Sequence, residues 1–181
     1  MKKDGIGGAN TQTGINFEGK VDLLEFLDKK IEGYSVKKAK IGHEIFYNGK
    51  MVAQSFRKHE LYKFLLIRGV DYRKYLSKKL LPDDAIYVIK ENTLFIIEVK
   101  YQQVAGSVDE KLQTCDFKLK QYKKLFSELN YEVEYIYVLS DWFKDERYKD
   151  TLEYVIEVGC KYYFEYLPLH KIGLPVPKES K

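Results

Sequence analysis

Apolar positions recur with two different periods along the chain, and the switches between them mark the elements. From Asn16 onward, Phe17, Val21, Leu24, Leu27 and Ile31 fall at helical spacing, and Gly33 closes the run. Short extended runs at 44–47 and 50–54 flank Asn48-Gly49, a two-residue turn pair that predicts a hairpin. A basic helical stretch follows, with Leu61, Phe64 and Leu65 facing inward and Tyr72, Tyr75 and Leu76 behind them. The pattern then becomes β-rich at 85–90 and 93–100, joined through Glu91-Asn92. Beyond a loop over 102–106, Ser107 and Glu110 form a capping box. Val108, Leu112, Cys115, Leu119, Tyr122, Phe126 and Leu129 then predict one long helix with a continuous inner face. A buried strand at 134–139 comes next, then a helix opened by Asp150 and Glu153 and closed by Gly159. A short strand at 162–166 and an irregular tail with Pro168, Pro175 and Pro177 complete the chain.

This order predicts a mixed α/β (α+β) domain around one sheet, with no internal repeat and no linker. The 181 residues suit a single domain spanning 1–181. Its first sixteen residues form a polar, Gly-rich arm, which is no P-loop because no Gly-Lys-Ser/Thr follows. Apolar residues at 45% and charged residues at 32% exclude a disordered chain. Two cysteines, Cys115 and Cys160, exclude a disulfide framework or a Cys-rich zinc site. No run approaches a membrane span, and Met1-Lys2-Lys3-Asp4 lacks the apolar stretch of a signal peptide, so the expected setting is cytoplasmic.

Charge changes the picture once it is divided. The net value is only +4, but residues 29–79 hold 14 Lys and Arg against 4 Asp and Glu. The flanking segments are together net acidic. A basic middle beside acidic flanks suits either a polyanionic partner or a solvated lysine-rich face.

The candidate chemistry lies at Pro82-Asp83-Asp84 and Glu98-Val99-Lys100. Side chains alternate along a strand, so Glu98 and Lys100 share a face, about 6.6 Å apart along the chain. Six places in the sequence have an acid two residues before a lysine, but only Glu98/Lys100 sits in an apolar β-run. A hairpin between the two runs brings Asp83 beside Glu98. Two carboxylates at one point favour a divalent cation, and oxygen donors with room for waters suit Mg²⁺ or Mn²⁺. A neighbouring lysine can then orient water or neutralise charge on a phosphate. The same residues also suit an edge-strand salt bridge after a Pro-Asp turn, and local pattern leaves both open.

Pro82-Asp83…Glu98-Val99-Lys100 resembles the signature of the PD-(D/E)xK nuclease superfamily, and the strand–strand–helix–strand order is similar to its core. Three segments also resemble small bacterial type II restriction endonucleases. They are Gly8-Ala9-Asn10-Thr11-Gln12-Thr13-Gly14…Phe17-Glu18, then Leu81-Pro82-Asp83, then the run from Glu98-Val99-Lys100-Tyr101-Gln102-Gln103 to Gln113-Thr114. The likeness covers most of 8–145 and fades over 34–79 and the tail.

The resemblance implies a restriction-endonuclease-like core, a central mixed β-sheet flanked by helices, with 80–145 as catalytic core and 29–79 as the DNA-contacting region. It implies that Asp83 and Glu98 are Mg²⁺ ligands (Mn²⁺ serving also), that the Val99 carbonyl is a further ligand, and that Lys100 is the catalytic lysine. Glu18 matches the glutamate that many members carry on their first helix; it equally suits a first-turn glutamate favoured by the helix dipole. Either Asp83 or Asp84 can supply the first ligand. Gln102, Gln103, Lys111 and Gln113 are candidate DNA contacts, Gln102 and Gln103 for adenine edges and Lys111 and Gln113 for phosphate; each equally suits an ordinary polar strand–helix loop.

The function implied is a Mg²⁺-dependent type II restriction endonuclease acting on double-stranded DNA. A palindromic target implies a homodimer, and host protection implies a partner DNA methyltransferase. The alternatives are a structure-specific repair, recombination or phage nuclease of the same fold, and a non-catalytic nucleic-acid-binding module. His43, His59 and His170 lack metal-ligand spacing.

Overall fold

The computed structural model describes residues 14–16, 22–102 and 108–177. Seven strands among them form a mixed sheet whose spatial order follows the chain: β2 (Tyr34–Lys38), β3 (His43–Tyr47), β4 (Lys50–Phe56), β5 (Asp84–Val88), β6 (Thr93–Lys100), β7 (Glu132–Leu139) and β8 (Lys161–Phe164). Neighbours from β2 through β6 pair antiparallel, while β6–β7 and β7–β8 pair parallel. A separate two-stranded piece joins β1 (Gly14–Asn16) to β9 (Tyr166–Pro168). The helices are α1 (Leu23–Lys30), α2 (His59–Ile67), α3 (Val108–Leu112), α4 (Cys115–Phe126) and α5 (Lys149–Glu157).

The central strands are apolar on both sides because both faces are covered. Ala85, Leu94, Ile96, Tyr135 and Tyr137 pack under α2, α4 and α5. Ile86, Val88, Phe95, Ile97, Ile136 and Val138 pack with Leu23 and Leu27 of α1 and with Leu167 of β9. This is the α/β architecture of the restriction-endonuclease-like fold, a mixed sheet flanked by helices.

The hairpin turn at Asn48-Gly49 forms as the sequence predicts, with φ of 48° and 77°. β6 occupies 93–100 as expected, and α5 ends before Gly159, which takes φ 81°.

Four elements differ from the sequence expectation. The helix expected from Asn16 starts at Leu23, because the Asp22 carboxylate caps it by accepting from the Glu25 N–H at 3.0 Å. Asn16, the expected start of that helix, belongs to strand β1 and pairs with Tyr166 of β9; Phe17 and Val21 lie outside the described residues. The single helix expected over 108–129 is divided at Gln113-Thr114, where the Thr114 hydroxyl donates to the Lys111 carbonyl at 2.7 Å and competes with the helical ladder. Leu112, Cys115, Leu119, Tyr122 and Phe126 stay buried across that break, so the apolar period survives it. Strand β2 was not foreseen. The last predicted strand is two, β8 and β9, separated at Glu165, whose φ is 53°. Ser107 of the predicted capping box lies outside the described residues, as does the arm before Gly14.

Candidate active site

β5 and β6 pair with Asp84 opposite Ile97 and Ala85 opposite Ile96. Continuing that register by one residue sets Asp83 opposite Glu98, on the face shared with Lys100. The Asp83 carboxylate accepts from the Val99 N–H at 3.2 Å, which ties the end of β5 to the end of β6. Asp84 has the opposite facing, and Arg57 holds it: Arg57 Nε donates to Asp84 at 2.7 Å while its terminal nitrogens grip Asp22 at 2.7 and 2.8 Å. Of the two aspartates, Asp83 therefore shares a face with Glu98, and Asp84 joins β5 to the start of α1.

The segment leading into Asp83 is fixed by α2. The Tyr62 hydroxyl donates to the Leu80 carbonyl at 2.8 Å and accepts from the Leu80 N–H at 2.7 Å. The Lys58 N–H donates to the Pro82 carbonyl at 3.3 Å. A short 80–82 connection held at three backbone atoms delivers Asp83 to its place.

Glu98 is 5% exposed. Burying a carboxylate is expensive unless charge and hydrogen bonds answer it. Two ammonium groups do so: Lys100 Nζ lies 2.8 Å from one oxygen, and Lys118 Nζ of α4 reaches both, at 2.8 and 3.0 Å. Burial alone would push the Glu98 carboxyl up, but Lys100, then Lys118 and the Tyr135 hydroxyl, outweigh it and hold the group below the ordinary range. That hydroxyl is buried and meets no acceptor at full hydrogen-bond geometry. Burial and the Glu98 charge hold it protonated all the same. Tyr122 is buried beside the same centre; burial drives its hydroxyl far up, and Tyr62, Glu98 and Asp83 add to it. Sequence reasoning did not foresee Lys118, Tyr122 or Tyr135 as neighbours of the carboxylates. The signal was an inward-facing helix with lysine at 118, which only packing connects to β6.

Residues 38–124 match the family model of the PD-(D/E)XK nuclease superfamily domain. This segment is a PD-(D/E)XK nuclease superfamily domain. It includes the Pro82-Asp83 and Glu98-Val99-Lys100 motif, and it reaches back into the basic segment as far as residue 38, where the likeness to restriction enzymes fades. No curated protein and no solved structure matches the chain. PD-(D/E)XK nucleases typically use divalent metal ions. The donors here are compatible with one: two carboxylates on one face and the Val99 carbonyl at the same strand end are hard oxygen donors, which suit Mg²⁺ with water completing its shell. No cluster of three or more His, Cys, Asp or Glu forms among the described residues. Glu18 lies outside the described residues, as does Gln103.

The remaining candidates are dispersed. Gln102 is 8% exposed, and its backbone clasps Ser140, whose hydroxyl accepts from the Gln102 N–H at 3.1 Å and donates to its carbonyl at 3.0 Å. Its residue is thus turned into the protein in this conformation. Lys111 and Gln113 are exposed at the end of α3 and the turn after it. Among the described residues no helix is long and apolar enough to cross a membrane.

Proposed function

We propose that the protein is a Mg²⁺-dependent, sequence-specific endonuclease of double-stranded DNA, of type II restriction character. The observation that carries this reading is the meeting of Asp83, Glu98 and Lys100 on one face at the ends of β5 and β6, within a PD-(D/E)XK domain. Asp83, Glu98 and the Val99 carbonyl would hold the metal. When bound, the ion would polarise the scissile phosphate and lower the pKa of a water. Lys100 orients that water and stabilises charge developing on the phosphate oxygens. Lys118, on the same carboxylate, adds a second positive charge to the site. Tyr122 and Tyr135 are buried in the core on the same side of the sheet.

Lys111 and Gln113 contact the DNA, as do Gln102 and Gln103 after β6. The full chain acts as one nuclease domain, with residues 29–79 supplying phosphate contacts. A palindromic target calls for a homodimer, and a methyltransferase protects the host DNA. Glu18 serves as a further catalytic carboxylate. The protein works in the cytoplasm.

The test is digestion of plasmid and phage DNA in Mg²⁺, with EDTA as control. Discrete fragments are expected, and Asp83→Ala and Lys100→Ala should each lose cutting while keeping their fold. A smear instead of fragments would favour a structure-directed or non-specific nuclease. Wild-type protein that binds duplexes and never cuts them would leave a binding module.

A further inference from the structure

A cleft of about 480 Å³ opens between α2 and the 70–79 segment, away from the carboxylates but continuous with the chain that leads to them. Its walls include Tyr62, Lys63, Leu66, Tyr72 and Lys79. Lys79 Nζ stands 5.1 Å from the Tyr62 ring centre and 5.0 Å from that of Tyr72, and the two rings meet edge-on at 5.2 Å. Leu66 is 70% exposed at the rim, an apolar side chain with no cover. Neither Lys63 nor Lys79 pairs with a carboxylate among the described residues. The acid in the wall, Asp71, is neutralised by Arg73, which grips it at 2.7 and 3.0 Å.

We propose that this cleft is a nucleotide subsite, taking one unstacked nucleotide of the substrate DNA strand with its base against Leu66 and Tyr72 and its phosphate on Lys63 and Lys79. The inference rests on the nuclease reading and adds a place for the strand to it. Three features point to a nucleotide and not to an apolar ligand. The volume is that of a small-molecule site, in the range of about 300–1,000 Å³. Unpaired ammonium groups stand beside aromatic rings and an exposed aliphatic, the combination that holds single-stranded nucleic acid by stacking and phosphate contact together. The cleft also belongs to the segment 29–79, the basic part of the chain.

Its position relative to the carboxylates adds a fourth. The Tyr62 hydroxyl holds Leu80, three residues before Asp83, and Tyr62 packs in one core with Leu94, Ile96 and Tyr135, on the face of the sheet that Glu98 shares. A nucleotide seated here therefore lies on the catalytic side of the sheet, on the element that positions Asp83. Unstacking a base is least costly at a mismatch, a bulge or a single-stranded end, so such substrates should bind best.

The experiment measures fluorescence anisotropy in EDTA, with a labelled single-stranded oligonucleotide and a duplex carrying one unpaired base. Lys63→Met and Lys79→Met keep the aliphatic stems and remove the charges. Each should weaken binding about 5–10-fold and reduce the slope of log affinity against log salt by about 0.7–0.9. Thymidine 5′-monophosphate in excess should compete. On wild-type protein, photo-cross-linking with 5-iodo-deoxyuridine DNA should label Tyr62 or Tyr72; this arm does not depend on a variant folding. Unchanged affinity and slope in both variants, or cross-links only outside residues 59–79, would overturn the subsite while wild-type cutting stood. Wild-type protein that bound no nucleic acid would overturn the subsite and the nuclease reading together.

Discussion

Lys118 on α4 holds both oxygens of Glu98 on β6, across twenty residues of chain, at 2.8 and 3.0 Å. Lys100 holds one of the same oxygens at 2.8 Å. A cation approaching Glu98 must therefore displace an ammonium group. Lys118→Met is expected to do two things in the absence of DNA. It should move the Glu98 titration upward, since a group that lowers it is gone, and it should tighten Mg²⁺ binding several-fold. Carboxyl ¹³C NMR reads the first and titration calorimetry the second. Equal metal affinity in wild type and variant would show that Lys118 does not compete with the ion.

Burial pushes the Asp84 carboxyl up to about 6, against the pull of Arg57. A native-state carboxyl that holds its proton more tightly than the unfolded chain contributes stability at low pH, and that contribution is lost as pH rises through its native value. Relative to Asp84→Asn, wild type should lose stability from about pH 4 to about pH 6, by at most about 3 kcal/mol. Urea midpoints of the two proteins across that window give the answer; parallel curves would mean that Asp84 is ionised throughout.

Gly42 and Gly49 both take left-handed φ, 68° and 77°, but only Gly42 is crowded. A Cβ there would sit 2.1 Å from the Ser55 carbonyl oxygen, whereas at Gly49 nothing lies within 4 Å. Gly49→Ala should cost about 1 kcal/mol from backbone strain alone. Gly42→Ala should cost distinctly more, because β4 must give way. Equal losses in chemical denaturation would assign the whole effect to φ.

Cys115 and Cys160 are 0% and 2% exposed, and the neighbouring Cys115, with burial second, keeps the Cys160 thiol protonated. Native protein should react with a thiol-specific disulfide reagent only as fast as it opens, and both thiols should react at once in denaturant. Fast labelling of the native state would mean that α4 opens locally at its first turn.

The candidate catalytic face was legible in the sequence because strand period and hairpin register are local. Asp83 and Glu98 meet by counting residues across one turn, and the apolar run before Glu98 marks the strand as buried. Choosing between Asp83 and Asp84 required knowing that Arg57 and Asp22 lie on the opposite side, which is a matter of how α1 docks. Lys118 and Tyr135 were illegible for the same reason: their approach to Glu98 depends on α4 crossing β6 and β7. Strand β2 escaped notice because Ser35, Lys37 and Lys38 make an edge strand polar, and β1 because a three-residue strand has no period of its own.

The seven strands lie across the sheet in the order in which the ribosome makes them. β2 to β4 and β5 to β6 are hairpin partners that can zip soon after they emerge. β7 must wait for α3 and α4 to be made, and α4 brings Lys118. During synthesis, then, Asp83 and Glu98 are in place before the second of the two lysines that answer Glu98 exists. A chain halted near residue 110 would present an acidic strand end with one cation missing, and its strand β6 would be an open edge. The charge balance around Glu98 is thus a late event in the life of the polypeptide, and a truncated product should aggregate through its exposed β6 edge.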